Sequence, residues 1–88
     1  MKVKFQSSFA KDLRRIKDST VLVRVKMVIE DVEAAQSLLE LEHTKKLHTG
    51  SNCFRIRIGD YRLGLILEGD EVTFVRCMNR RDLYKFFP

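Results

Sequence analysis

Residues 53 to 67, Cys53-Phe54-Arg55-Ile56-Arg57-Ile58-Gly59-Asp60-Tyr61-Arg62-Leu63-Gly64-Leu65-Ile66-Leu67, decide the fold. Apolar and polar side chains alternate on both sides of Gly59-Asp60, which reads as a two-residue hairpin turn between two strands. With those two residues as the loop, Ile58 pairs with Tyr61, Arg57 with Arg62, Ile56 with Leu63 and Arg55 with Gly64. Side chains alternate faces along a strand. One face therefore carries Phe54, Ile56, Ile58, Tyr61, Leu63, Leu65 and Leu67 and belongs to the core. The other carries Arg55, Arg57 and Arg62, with Gly64 leaving open space beside Arg55. Like charges directly opposite one another destabilise a sheet, so the Arg57–Arg62 pair marks a place prepared for an anion. A solvated sheet face would carry the same arginines, arginine being common on exposed strands.

Downstream, Glu68-Gly69-Asp70-Glu71 reads as a second turn and Val72 to Met78 as a further strand. With Leu67 opposite Val72, Phe74 joins the core face, while Thr73, Val75 and Cys77 join the arginine face, Cys77 opposite Arg62. A one-residue change in turn length reverses that assignment. No base stands near Cys77 in the sequence, so it reads as a buried or half-buried thiol rather than a nucleophile. The tail Asn79-Arg80-Arg81-Asp82-Leu83-Tyr84-Lys85-Phe86-Phe87-Pro88 adds basic charge and then aromatics. Leu83, Phe86 and Phe87 fit a terminal helical turn that closes the core, and Tyr84 falls outside that set.

Upstream, Lys2 to Gln6 is a short alternating strand with Val3 and Phe5 on one face. Either Ser7 or Ser8 offers a cap for a helix carrying Phe9, Leu13 and Ile16 at helical spacing among Lys11, Arg14, Arg15 and Lys17. Asp18-Ser19-Thr20 offers a second cap. The stretch Val21 to Leu41 opens rich in β-branched residues, as a strand would. Leu22, Val25, Val28, Ile29, Val32, Ala35 and Leu39 nevertheless keep helical spacing, and Val21 to Lys46 is free of glycine and proline. A helix over Val21–Leu41 follows, making a helical hairpin packed on the sheet. His43 to Asn52, with Lys45, Lys46, His48 and Gly50, reads as a polar connection. His43, His48 and Cys53, five residues apart each time, match no metal motif, and both histidines read as surface residues.

The 88 residues suit one domain, 1–88, and 44% apolar content is ordinary for a folded globule. Lys plus Arg number 17 against 12 Asp plus Glu, a net charge of +5 that favours an anionic partner. No apolar run approaches the roughly 20 residues of a membrane span, and no secretory signal precedes the first strand. Two cysteines do not make a disulfide framework. A cytoplasmic protein with reduced thiols, no metal and no cofactor is expected.

The order strand, helical hairpin, Lys45-Lys46-Leu47 and then Phe54-Arg55-Ile56-Arg57-Ile58-Gly59-Asp60-Tyr61-Arg62-Leu63 resembles the RelE/ParE toxin superfamily over essentially the whole chain. The tail Asn79-Arg80-Arg81-Asp82-Leu83-Tyr84 is similar to the His-Arg-x-Asp-hydrophobic-Tyr ending of RelE-type members. The resemblance implies an α+β fold: a small antiparallel β-sheet with an N-terminal helical hairpin on one face, in the order β-α-α-β-β-β with a short C-terminal helical turn. It also implies the toxin of a type II toxin–antitoxin system. RelE-type members cleave messenger RNA in the ribosomal A site, whereas ParE-type members poison DNA gyrase without being nucleases. The three hairpin arginines together with Tyr84 favour the endoribonuclease; a gyrase inhibitor, or an inactive relative kept as an antitoxin-binding module, are the alternatives.

Carried over residue by residue, the resemblance implies a site of Arg55, Arg57, Arg62, one of Arg80 and Arg81, and Tyr84, the last stacking on or orienting the substrate base. Attack by a ribose 2′-hydroxyl on the adjacent phosphate needs positive charge on the phosphorane and help with proton transfer. Arginine suits the first task. It does not suit the second, because a pKa above about 12 makes its deprotonation expensive. Here Arg55 and Arg57 stand where relatives commonly have lysines, and Asn79 where many have histidine, so Asn79→His is expected to raise the cleavage rate by about 10- to 100-fold. The implied partners are the ribosome with its message, an acidic amphipathic antitoxin that folds on binding, and operator DNA reached through that antitoxin. The antitoxin is expected to cover Arg55, Arg57 and Arg62 or to displace the segment that holds Tyr84.

Overall fold

Ile58 lies opposite Tyr61, Arg57 opposite Arg62, Ile56 opposite Leu63 and Arg55 opposite Gly64, the register expected of the hairpin. Gly59 turns the chain at φ +56°, a left-handed conformation that glycine reaches without a Cβ clash. The computed structural model describes residues 1–48 and 52–87; the part of the polar connection around Gly50, and Pro88, lie outside them. Five strands, β1 (Lys2–Phe5), β2 (Thr44–Lys46), β3 (Cys53–Ile58), β4 (Tyr61–Glu68) and β5 (Glu71–Asn79), form one sheet in the order β1-β5-β4-β3-β2. Helices α1 (Ser7–Arg15) and α2 (Ser19–Ala34) supply apolar faces to the core, and α3 (Arg80–Phe86) follows β5.

The α+β class stands, and the sheet differs from the expected one in two ways. It is mixed, because β1 runs parallel to β5, with Val3 opposite Val72 and Phe5 opposite Phe74. A parallel pair needs a long connection, which the helices and the hairpin between them supply. It also gains β2 inside the stretch read as a polar connection, Lys45 pairing with Arg55 and Lys46 with Phe54. Two adjacent lysines hide a strand this short, since neither face of it is apolar.

The second helix stops at Ala34, seven residues before the expected end at Leu41. Asp18 caps its start, accepting from the Thr20 N–H at 2.9 Å. Ala35 is extended, and Ser37 then begins a separate cap: its Oγ accepts from the Leu39 N–H, while Glu40 Oε1 accepts from the Gln36 and Ser37 N–H groups. This reciprocal arrangement competes with helix continuation and sets a single 3-10 turn over Leu38–Glu40. It buries Leu38 and leaves the expected core residue Leu39 exposed.

Phe9, Ile16, Val25, Val32 and Leu38 pack against Phe54, Ile56, Ile58, Leu63, Leu65, Val72, Phe74 and Cys77 to form the main core. Each large side chain so buried contributes about 1.5–3 kcal/mol. Phe5, Phe9 and Phe74 stack at centroid distances of 5.3 to 5.8 Å. A second, smaller cluster of Cys53, Leu83 and Phe87, flanked by Leu47, Ile66 and Val75, sits beneath α3. Phe87 occupies the space expected to be open at Gly64: a Cβ there would lie 2.7 Å from its ring. Leu83 and Phe87 are buried as expected, but Phe86 is exposed and takes the Arg76 guanidinium over its ring at 5.2 Å.

A bulge in β5 overturns the expected placement of Cys77. Gly64 pairs with Arg76 and Leu65 with Phe74, leaving Val75 without an opposite residue. The extra residue reverses the alternation. Cys77 therefore faces the core opposite Leu63, and Met78 takes the place opposite Arg62. Where β1 ends, α1 takes over the free edge of β5. The Ser8 hydroxyl donates to the Val75 carbonyl at 2.6 Å, and Asp12 Oδ2 accepts from the Cys77 N–H at 2.9 Å. Arg76 closes the same carboxylate with two hydrogen bonds of 2.8 and 3.0 Å.

Candidate functional site

Of the expected site residues, Arg57, Arg62 and Arg80 come together at the turn end of the β3–β4 hairpin, while Arg55 and Tyr84 lie together beside β2. Cross-strand partners project from the same face, so Lys45, Arg55 and Gly64 make one row and Arg57, Arg62 and Met78 the next. Arg62 is held over the turn by its Nη1, which donates to the carbonyls of Gly59 at 2.8 Å and Tyr61 at 2.9 Å. Arg57 Nη2 lies 3.0 Å from His43 Nδ1. Arg55 stacks over the ring of Tyr84 at 5.6 Å, so α3 brings the terminal tyrosine beside the first strand arginine.

The structure separates Arg80 from Arg81. Arg80 opens α3, its N–H donating to the Asp60 carbonyl at 2.9 Å. Its side chain lines an open recess of ≈ 400 Å³ with Arg24, His43, Arg57, Gly59, Asp60 and Arg62. Arg81 is exposed and outside that recess. Two of the lining residues were not expected: Arg24, which reaches over from α2, and His43. Nothing in the sequence marks Arg24, which sits on the helix surface next to the buried Val25. His43 has a positive φ of 63°, uncommon for a side chain with a Cβ, and its backbone bend carries the ring back toward β3.

Four guanidiniums are thereby within electrostatic reach of one another. The Arg62 guanidinium is held below its ordinary pKa first by burial and then by the charges of Arg55, Arg57 and Arg80, with Asp60 opposing. Among the described residues, the ion pairs are Lys4–Glu71, His43–Glu42, Arg76–Asp12 and Lys85–Asp82, and none includes these four arginines. Like charges gathered without a paired carboxylate are costly to assemble, and a bound anion would relieve that cost. Among the described residues no group of three or more His, Cys, Asp or Glu is placed to hold a metal ion.

Asn79 lies elsewhere. It pairs with Tyr61, on the opposite face of the sheet from Arg57 and Arg62, and its Oδ1 caps α3 by accepting from the Arg81 N–H at 3.1 Å. This placement puts position 79 on the face away from the arginines, which argues against histidine there serving them as a proton-transfer group. Asn79→His is expected to leave cleavage no faster and to cost about 1 kcal/mol through the lost cap. For a domain of this size that is a fall of about 4–8 °C in melting temperature. Single-turnover cleavage and thermal melts of the same preparation check both.

Cys77 is withdrawn from chemistry as well as from the arginine face. Burial, and behind it the nearby Asp12 carboxylate, pushes its thiol up to about 12 from 9.0. The folded chain therefore keeps a proton that the unfolded chain loses. The stabilisation from this difference is complete below pH 9.0 and is lost as pH rises toward about 12. At about pH 8, an alkylating reagent is expected to leave Cys77 unmodified in the native protein and to modify it fully in denaturant.

A helical layer over a mixed sheet, with arginines outside any ion pair drawn to one hairpin, puts the chain among small basic α+β proteins. The family is narrower. The model for the ParE toxin of type II toxin-antitoxin systems, parDE, matches residues 3–84, and the chain belongs to that family, within the RelE/ParE superfamily. It is 37% identical to Toxin RelE3 of Methanocaldococcus jannaschii over 89 aligned residues that cover 100% of both chains. It superposes on a chain of the RelB-RelE antitoxin-toxin complex from Methanococcus jannaschii with a TM-score of 0.82 and 34% identity, covering 97% of this chain and 99% of that one. The isolated RelE toxin of E. coli, at 19% identity, shares the fold with a TM-score of 0.65 over 96% of this chain and 90% of its own. Among the described residues no helix is long and apolar enough to cross a membrane.

Proposed function

We propose that this type II toxin is an endoribonuclease that cuts messenger RNA on the translating ribosome, by attack of a ribose 2′-hydroxyl on the adjacent phosphate. The observation that carries this reading is the cluster of Arg55, Arg57, Arg62 and Arg80 without a carboxylate partner among the described residues. Charge develops on the non-bridging oxygens of a phosphorane, and fixed donors aimed at it stabilise the transition state more than the ground state. Arg62, pinned by two backbone carbonyls, is the best preorganised of the four for that task. Tyr84, half exposed and held by Arg55, offers a ring for a base to stack on. Arg80 joins the phosphate-facing set in preference to Arg81, because it lines the recess.

An antitoxin partner agrees with the likeness to the toxin chain of a RelB-RelE complex. An acidic segment of such a partner, laid over Arg55, Arg57 and Arg62, would neutralise the surface that the message needs. The ParE description of the matching family model favours a second reading, inhibition of DNA gyrase without cleavage. Mapping the 5′ ends of cellular messages after induction separates the two. Cuts at a fixed position within translated codons support the ribonuclease. Intact messages with inhibited gyrase support the other reading and defeat this one.

A further inference from the structure

We propose that His43 is the group that takes the proton from the attacking 2′-hydroxyl, and that Arg57 holds it in reserve until a phosphate arrives; the inference rests on the ribonuclease reading above. The four arginines supply charge but no base, and Asn79 faces away from them. His43 is the one imidazole among the residues lining the recess with Arg24, Arg57, Arg62 and Arg80. Its side chain is half exposed, so solvent can return it to the neutral form between turnovers.

Two contacts fix it. The Arg57 N–H donates to the His43 carbonyl at 3.0 Å, continuing the β2–β3 pairing, and Arg57 Nη2 meets the ring at Nδ1, also at 3.0 Å. A guanidinium has no acceptor. Arg57 is therefore the donor, Nδ1 offers its lone pair, and the ring is neutral with its proton on Nε2. That lone pair is blocked only while Arg57 points at it. A phosphate that draws the Arg57 N–H away leaves Nδ1 free at the moment the substrate is in place.

The step then balances. Nδ1 accepts the 2′-hydroxyl proton as the O2′–P bond forms, and the P–O5′ bond breaks with its electron pair going to O5′. The leaving O5′ takes a proton from solvent, the imidazolium later returns one, and a 2′,3′-cyclic phosphate remains. Charged groups face the ring from each neighbouring element. Glu42 lies 4.0 Å from Nε2, and Asp31 of α2 and Glu40 of the 3-10 turn line the groove on one side of it. Arg24, Asp60, Arg62 and Arg80 line the recess on the other. The carboxylates favour the imidazolium that forms and the guanidiniums oppose it.

The test is single-turnover cleavage of an A-site message on programmed ribosomes by the full chain, from about pH 5.5 to 8.5, the range in which histidine titrates. The variant is His43→Asn, because asparagine tolerates the left-handed backbone and accepts from Arg57 but holds no proton at these pH values. Wild type is expected to lose rate about tenfold per pH unit on the acid side. His43→Asn is expected to fall about 10²- to 10⁴-fold at neutral pH, to lose that acid limb, and to keep its half-saturating ribosome concentration. Added imidazole should restore part of the rate. A folded His43→Asn protein that keeps the wild-type rate overturns the proposal. So does one that slows but keeps the acid limb, since His43 would then only position Arg57. Wild type that leaves the message uncut defeats the ribonuclease reading itself, an outcome distinct from either.

Discussion

Arg62→Ala is expected to abolish growth arrest and to lower single-turnover cleavage by at least about 10²-fold, the usual cost of removing one fixed donor from a developing oxyanion. The substitution leaves the fold in place. Arg62 projects from the sheet face that bears Arg57, opposite Met78, and its side-chain hydrogen bonds go to the carbonyls of its own turn. Its removal relieves the repulsion that Arg55, Arg57 and Arg80 exert on it, so stability should hold or rise by some tenths of a kcal/mol. Arg62→Lys sharpens the test. A lysine restores the charge without the planar fork that holds both carbonyls and a phosphate, so only part of the activity should return. The checks are growth after induction, cleavage on programmed ribosomes and thermal melts of each variant. Undiminished arrest by folded Arg62→Ala protein would remove the hairpin face as the site.

The hairpin was legible because its alternation is regular and its turn is two residues long, so one register puts Phe54, Ile56, Ile58, Tyr61, Leu63, Leu65 and Leu67 on one face. The same logic failed one strand later. Nothing in the run Val72-Thr73-Phe74-Val75-Arg76-Cys77-Met78 announces a bulge at Val75, where the structure shows contacts to Ser8 of α1 and to the Leu83–Phe87 cluster. The end of α2 was hidden for a different reason: Leu38 and Leu39 both extend the helical period, and only the Ser37–Glu40 cap decides between them. At the candidate site, Arg55, Arg57, Arg62 and Tyr84 could be named from strand geometry and the family likeness, whereas telling the recess-lining Arg80 from the exposed Arg81 required the start of α3 in space. His43 and Arg24 were out of reach, because each arrives at the recess from an element distant in sequence from the hairpin.

Asp12→Ala is expected to destabilise the protein more than any surface substitution, by about 3–5 kcal/mol, the usual cost of stripping one partner from a buried ion pair. Asp12 is only 5% exposed, and its carboxylate accepts three hydrogen bonds: two from Arg76 and one from the Cys77 N–H. Alanine leaves a mostly buried guanidinium and a buried N–H without acceptors, on the edge of β5 that lies beyond its pairing with β1. In a domain whose total stability is of order 5–15 kcal/mol, the melting temperature should drop by more than about 12 °C. Asp12→Asn separates the contributions: its carbonyl oxygen still accepts from Cys77 while the charge is gone, so its loss should be intermediate. Removing both partners, as in Asp12→Leu with Arg76→Met, leaves no uncompensated charge and should recover a good part of the single-variant loss. A melting temperature for Asp12→Ala within a few degrees of wild type would show that solvent replaces the lost acceptors at no cost. The consequence extends to the site. The guanidinium that Asp12 holds also lies over Phe86 of α3, two residues from Tyr84. Releasing it loosens the helix that carries Tyr84, so if that ring stacks on a base as proposed, the folded fraction of Asp12→Ala should also cleave more slowly than wild type.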